Sequence, residues 1–361
     1  MDSIESRLNS VIERHRAPGA SIAWSVNDGP VNVCSVGHAR LSPPVEMSAD
    51  TVMPWFSVTK LFTATAILQL VERGKLDLDE PVSACLPGTF HDPVAALTPR
   101  QLLSHTSGLA NPMPLRWVHL VSEPGPDLKS MTLRLLSRER RLRFEPGTRY
   151  AYSNLGYLVL GLLIEAASGI GFDEYMSRHV LQPLGAAATG FDLPADGARG
   201  YNRTWSLMGL AARLLMDRKI FGATGSGLTE LQPFELDGGP YGGLVGPVTS
   251  MLTLGRAMLA DGYTARGRVL DAASVRLALT PVRSQDNEEF PIGLGWHLGQ
   301  ANGEHYAKHI GGGLGFRSEL RIYPRRGCAV AVIANATSFD TAAIAEFVVQ
   351  GCNVSAKRGS G

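Results

Sequence analysis

The opening stretch to Arg14 sets apolar positions among charged ones in the pattern of an amphipathic helix, and Pro18-Gly19 ends it. Residues 20–26 and 31–36 are short β-rich runs around Asn27-Asp28-Gly29, which predicts a hairpin. A proline-containing loop over 41–50 leads to Pro54, Trp55 and Phe56. From Ser57 onward Leu61, Ala64, Ile67, Leu68 and Val71 recur at helical spacing. The period stays helical from 60 to about 260, with one helix closing over residues 102–109 on Gly108 and another over 155–167 before Ser168-Gly169. Strand-like runs return at 293–298, 304–310, 316–323 and 328–335, and 342–349 closes the pattern as a helix. The pattern has no internal repeat. It predicts an α+β fold in which an antiparallel sheet, flanked by the N- and C-terminal helices, is built from 1–50 and 265–361. An all-helical insertion over 51–264 interrupts it.

Three polar groups stand out against this apolar background. Ser57 falls at a helix start, where a serine is expected to cap and where exposed N–H groups and the helix dipole favour negative charge. Lys60, three residues on, shares its face. This is the only S-x-x-K in a lysine-poor chain, and the apolar helix behind it would desolvate the ammonium. Lysine ordinarily titrates near ~10.4, and burial brings it toward about 7 to 8, the range a base requires. Tyr152 and Asn154 lie in a short loop before an apolar helix, and His309 ends a strand that runs into Gly311, Gly312 and Gly313, where a ligand can lie against the backbone.

Taken in order, Ser57-Val-Thr-Lys60, Tyr152-Ser-Asn154 and His309-Ile-Gly311 resemble the S-x-x-K, Y-x-N and K-T-G or H-x-G elements of the serine β-lactamase and penicillin-binding-protein superfamily. The class C related hydrolases, which include esterases, D-amino-acid peptidases and acyltransferases, are nearest. His297-Leu-Gly299 also reads H-x-G, but no glycine run follows it. The resemblance covers about residues 4–350. It implies that Ser57 is the acylated nucleophile and that Lys60 and Tyr152 share the work of base and acid. Asn154 would hold Lys60 and the acyl side of the substrate, with His309, Gly311 and Gly312 lining the substrate strand. The backbone N–H groups of Ser57 and Gly312 would form the oxyanion hole. Tyr152 relays a proton on this reading only if a cationic Lys60 lowers its pKa. His105, in Ser-His-Thr-Ser-Gly, reads as a buried hydrogen-bonding residue.

Composition narrows the function further. A net charge of +1 over 361 residues gives no electrostatic footprint for nucleic acid. No run reaches the ~18 apolar residues of a membrane span, and the charged N-terminus lacks the apolar core of a secretory signal. Cys34, Cys85, Cys328 and Cys352 have neither disulfide nor ligand spacing, which predicts reduced thiols, a cytoplasmic protein, no metal and no cofactor. The lysine of K-T-G is replaced by His309, which weakens recognition of a substrate carboxylate and favours esters or uncharged amides over penicillins, with weak or no β-lactamase activity. Arg317 either compensates or is an exposed strand residue. The expected function is hydrolysis of a small-molecule ester or amide through an acyl-serine. Acyl transfer in a biosynthetic pathway and a non-turnover acylated sensor are the alternatives. Residues 202–238 depart from the family pattern, and the apolar helix over 205–216 fits buried packing, a subunit contact or a lid.

Overall fold

Strands from the two ends of the chain join side by side in one antiparallel sheet. The computed structural model describes residues 3–351 except 113–116, 140, 207–208, 210–212, 215 and 285. From the N-terminal side come β1 (Gly19–Val26), β2 (Asn32–Leu41) and β3 (Pro44–Glu46); from the C-terminal side come β4 (His297–Ala301), β5 (Glu304–Gly313), β6 (Phe316–Tyr323) and β7 (Cys328–Ala334). Their order is β4-β5-β6-β7-β1-β2-β3, and β1 pairs with β7 from Ala20 opposite Ala334 to Val26 opposite Cys328. The centre of the sheet is thus a splice between the chain's two ends.

Cys328-Ala-Val-Ala-Val-Ile-Ala334 is wholly buried because both faces of β7 are covered, which is why it reads as a continuous apolar run instead of an alternating one. Ala329, Ala331 and Ile333 join the main core, while Val330, Val332 and Ala334 meet helices α1 (Ile4–His15) and α6 (Thr341–Gly351). Helices α2 (Thr59–Glu72) and α4 (Asn154–Ser168) run through the insertion and are buried on nearly every side. Helix α3 (Pro99–Leu103) and α5 (Val248–Leu259) complete the frame; Gly255 of α5 lets its backbone approach Leu320, Ile322 and Ala329 closely. Among the described residues no single helix is long and apolar enough to cross a membrane.

The predicted antiparallel sheet, built from both ends of the chain, and the flanking helices are present, and three local expectations change. First, the insertion carries strands as well as helices: Tyr201–Arg203, Leu228–Leu231 and Phe221–Gly225 form a three-stranded sheet, and Val118–Leu120 pairs with Phe234–Leu236. Strands this short leave no measurable alternation. Second, β4 starts at His297, because Leu294 N–H is taken by the Ala278 carbonyl and Gly295 N–H by that of Leu103. Third, α3 stops at Leu103, well before Gly108, and the left-handed residue after it is His105, at φ 57°. Half of the helix expected over 205–216 lies outside the described residues; of its described members Trp205 and Leu214 are exposed and Met216 is buried.

Candidate active site

Ser57 sits in a single 3₁₀ turn, Phe56–Val58, that feeds α2. It does not cap that helix. Val58 occupies the N-cap position with no side-chain cap bond, which corrects the sequence expectation and leaves the Ser57 hydroxyl free for chemistry. The cause is Phe56, held at φ 48°, a conformation a bulky residue keeps only under tertiary constraint. That constraint comes from Trp55. Its N–H donates to the Leu244 carbonyl, its indole Nε1 donates to the Gly246 carbonyl at 3.0 Å, and its own carbonyl accepts from Ser318 Oγ at 2.6 Å.

Lys60 is fully buried, and its Nζ lies 3.2 Å from Ser57 Oγ, 2.8 Å from Asn154 Oδ1 and 2.7 Å from the Tyr241 carbonyl oxygen. The rings of Tyr152, Tyr157 and Tyr241 surround it, with centroids 4.9, 5.2 and 5.3 Å from Nζ. Burial among these uncharged groups pulls the Lys60 amine well below the ordinary lysine range. Tyr241 escaped the sequence reading because it acts through its main chain, which no side-chain pattern reports.

Tyr152 donates to Ser57 Oγ at 2.8 Å, so the expected three residues do converge. Its titration does not meet the condition set for a relay, a phenol acidified by a cationic Lys60. Desolvation outweighs the Ser57 hydrogen bond and pushes the phenol up, so Tyr152 stays a proton donor. The loop carrying it is anchored on both sides. Ala151 N–H donates to the His105 carbonyl, Ser153 N–H donates to His105 Nδ1 at 3.2 Å, and Asn154 N–H donates to Asn111 Oδ1 at 3.1 Å. The His105 ring packs on that of Tyr152 with centroids 4.3 Å apart. Tyr150 is held in turn by His297, whose Nε2 is 2.8 Å from the phenol oxygen; burial lowers His297 to about 4 and raises Tyr150 to about 12. His105 is thus the buried hydrogen-bonding residue the sequence suggested. His297 was set aside as a motif residue and nonetheless belongs to this shell.

A substitution separates these roles. His105→Ala deletes the acceptor for Ser153 N–H and puts alanine at a positive φ, so a loss of about 1–3 kcal/mol of stability and about tenfold or more in kcat is expected. His105→Asn keeps an acceptor oxygen and tolerates the left-handed region, so it should recover most of both. Steady-state kinetics and thermal melts decide it; an asparagine variant no better than alanine would remove the anchoring role.

His309 is buried, its Nδ1 sits 3.0 Å from the Ile310 carbonyl, and its ring meets that of His297 at 4.8 Å. Burial, then the neighbouring His297, Lys60 and His105, hold it well below the usual histidine range. It is neutral, not the partly charged group expected. Beyond it, Gly311 and Gly313 are required by the nucleophile's turn: a β-carbon at Gly311 would overlap the Trp55 carbonyl, and one at Gly313 would overlap the Phe56 ring. Gly299, of the competing H-x-G, lies against Tyr306 instead. The glycine run therefore abuts Ser57, and His297-Leu-Gly299 does not.

A family model described as Beta-lactamase matches residues 4–351. The chain belongs to the beta-lactamase family. Membership makes it a serine hydrolase. Among its relatives, penicillin-binding protein 4 of Amycolatopsis lactamdurans is 28% identical over 361 residues, taking in 93% of this chain and 86% of that one. D-amino acid amidase from Ochrobactrum anthropi SV3, solved with D-phenylalanine, superposes with a TM-score of 0.76 at 25% identity and covers 97% of each chain. SurE, solved with D-Leu, gives 0.69 at 27% identity over 97% of this beta-lactamase-family chain and 75% of its own.

Proposed function

We propose that this enzyme hydrolyses a small ester or amide through an acyl intermediate on Ser57, with Lys60 as the base and Tyr152 as the acid. The observation that carries the reading is the bonding of the Lys60 amine. A neutral amine has two hydrogens and one lone pair. Asn154 Oδ1 and the Tyr241 carbonyl can only accept, so they take both hydrogens, and the lone pair is left for the Ser57 hydroxyl. Tyr152 donates to the same oxygen. Ser57 gives its proton to Lys60 as it attacks, and the tyrosine proton passes to the departing group while Lys60 restores it.

The developing oxyanion is assigned to the N–H groups of Ser57 and Gly312. Lys308 hydrogen-bonds His297 through its backbone on the β4 side, and β4 ends opposite Lys308. Alternation in an antiparallel ladder puts Gly312 N–H on the same edge, past the end of β4. Gly311 and Gly312 then line the substrate strand, with Asn154 on the acyl side. Neutral His309 supplies no cation, which supports slow or absent β-lactam turnover. The amidase relative, named for D-amino acids, supports a D-configured acyl group. A cytoplasmic setting belongs to the same reading, supported by the free thiols of Cys34 and Cys85.

The test is a chromogenic ester of a D-amino acid beside its L-enantiomer, followed by continuous absorbance and by intact mass. Sustained release, with a transient acyl mass on the Ser57 peptide and a preference for the D-form, is the expected result. Release that stops after one equivalent identifies an acylated sensor, and turnover without any acyl mass, unaffected by Ser57→Ala, removes the mechanism.

A further inference from the structure

The three-stranded sheet of the insertion carries a patch that the reaction does not use. Trp205 and Leu214 are each 83% exposed, the two most exposed large apolar side chains among the described residues. They emerge from one point. Thr204 and Arg213, the residues just before them, meet at a single hydroxyl: Thr229 Oγ1 lies 3.1 Å from Thr204 Oγ1 and accepts from Arg213 at 2.8 Å. An indole and a leucine left so exposed together are the informative exception to apolar burial.

Arginines stand around them. Arg203 donates to the Arg14 carbonyl at 3.3 Å, which sets the end of α1 against this sheet. Arg16, held just past α1 at φ 51°, reaches the hairpin turn, where its Nη1 is 3.8 Å from the place a β-carbon would take at Gly227. The Gly227 carbonyl in turn accepts from Thr204 N–H, next to Trp205. Arg213 also donates to Thr224 Oγ1 at 3.0 Å and lies over the Phe221 ring at 5.8 Å. Arg14, Arg16, Arg203 and Arg213 are exposed, and among the described residues none of them takes part in an ion pair. Nearby carboxylates are engaged elsewhere: Glu230 accepts from the Tyr201 hydroxyl at 3.0 Å, and Asp217 and Glu123 share Lys219. Glu13, on the last turn of α1, offsets part of the excess. In a chain of net charge +1 the patch remains locally basic.

We propose that this face docks on an anionic lipid bilayer, with Trp205 and Leu214 seated at headgroup depth and the arginines on lipid phosphate and carboxylate groups. Both halves of the patch ask for the same occupant. Unpaired guanidinium groups fit a dense anionic surface, and an indole with a leucine fits one that has an apolar layer beneath it. A nucleic acid can stack on an aromatic ring but gives an exposed leucine no apolar depth. Docking of this kind needs no membrane-spanning helix. It would hold the turn after β5 near the surface, since Tyr201 N–H donates to the Gly315 carbonyl and Asn202 Oδ1 accepts from Gly315 N–H at 3.3 Å. The proposal is independent of the reaction at Ser57.

The experiment mixes the full chain with vesicles of phosphatidylcholine alone, or of phosphatidylcholine and phosphatidylserine in equal parts, and follows flotation and tryptophan emission. Each arginine near an anionic surface contributes about fivefold, so binding should favour the anionic vesicles by about a hundredfold and fall to the neutral level in high salt. The double variant Trp205→Ala, Leu214→Ala should lose about tenfold in binding, together with the blue shift of emission. The double variant Arg14→Ser, Arg16→Asn should lose about twentyfold, asparagine being chosen because residue 16 is in the left-handed region. Activity of both on a water-soluble ester without vesicles should be unchanged, which separates lost docking from lost folding; the wild-type lipid and salt comparisons stand whatever the variants do. No preference for anionic vesicles, or a preference that neither double variant weakens, overturns the proposal. So does a Trp205-dependent dimer in sedimentation velocity without lipid, which makes the face a subunit contact, or a tighter hold on single-stranded RNA than on the anionic vesicles.

Discussion

Replacing Lys60 by Met is expected to lower kcat/KM on an ester by on the order of 10³-fold, because the base that receives the Ser57 proton disappears from a site that offers no other. The same variant reports on protonation. Burial lowers the Lys60 pKa in the folded state below the ~10.4 of the unfolded chain. Between those two values the unfolded chain holds a proton that the native amine does not. Lys60 therefore destabilises the fold, by an amount that shrinks as pH rises and vanishes above the unfolded value. Relative to Lys60→Met, wild-type stability should climb with pH above the lowered native value and level off past ~10.4, with other lowered groups such as Lys308 cancelling in the difference. Above about 10 the slope reverses in both proteins, since Tyr152, Tyr157 and Tyr241 keep their protons in the fold and lose them on unfolding. Denaturant titrations across this window measure the difference directly. A flat difference would mean that the native amine is charged, and the assignment of Lys60 as a resting base would fall. In kinetics the same chemistry predicts an acidic limb in kcat/KM, where protonation of Lys60 removes the lone pair.

Tyr152→Phe should cost roughly 10² to 10³ in kcat on an amide, and distinctly less on an ester with a good leaving group. The physical reason is the direction of its pKa. A buried phenol pushed above its usual range is a poor base and a reliable donor, so its work is to deliver a proton to the departing atom. An amide nitrogen needs that proton; an activated phenolate leaving group does not. Phenylalanine keeps the ring against His105 and His297, so the loss isolates the hydroxyl. Single-turnover acylation with a matched amide and p-nitrophenyl ester tests it. Equal losses on both would return Tyr152 to the role of base.

Much of this arrangement is legible in the residues alone. The apolar periodicity of α2 placed Lys60 one turn from Ser57 and predicted its desolvation, because a helix that is hydrophobic all round can only be a core helix. The glycine run after His309 separated the true third element from His297-Leu-Gly299, since only a strand that must pass under another backbone needs it. What was hidden has physical reasons too. The Ser57 turn departs from a capping geometry because long-range bonds from Leu244, Gly246 and Ser318 hold Trp55, and local pattern carries no record of such partners. The Tyr241 carbonyl is invisible because every residue has one. The sequence reading let Tyr152 relay a proton only if a cationic Lys60 acidified it, whereas burial acts on both groups together, lowering the amine and raising the phenol. The His297–Tyr150 pair joins residues 147 positions apart, a contact that spacing cannot announce.

The clamp on Trp55 also sets when the enzyme can exist. Its carbonyl is gripped by Ser318, and the glycines that make room for it belong to β5, so the nucleophile emerges from the ribosome some 260 residues ahead of the parts that shape it. A nascent chain that has exposed Ser57 but not yet β5 and β6 carries an ordinary serine, inert toward the acyl compounds around it. Reactivity arrives late in synthesis, when the final strands close over the first.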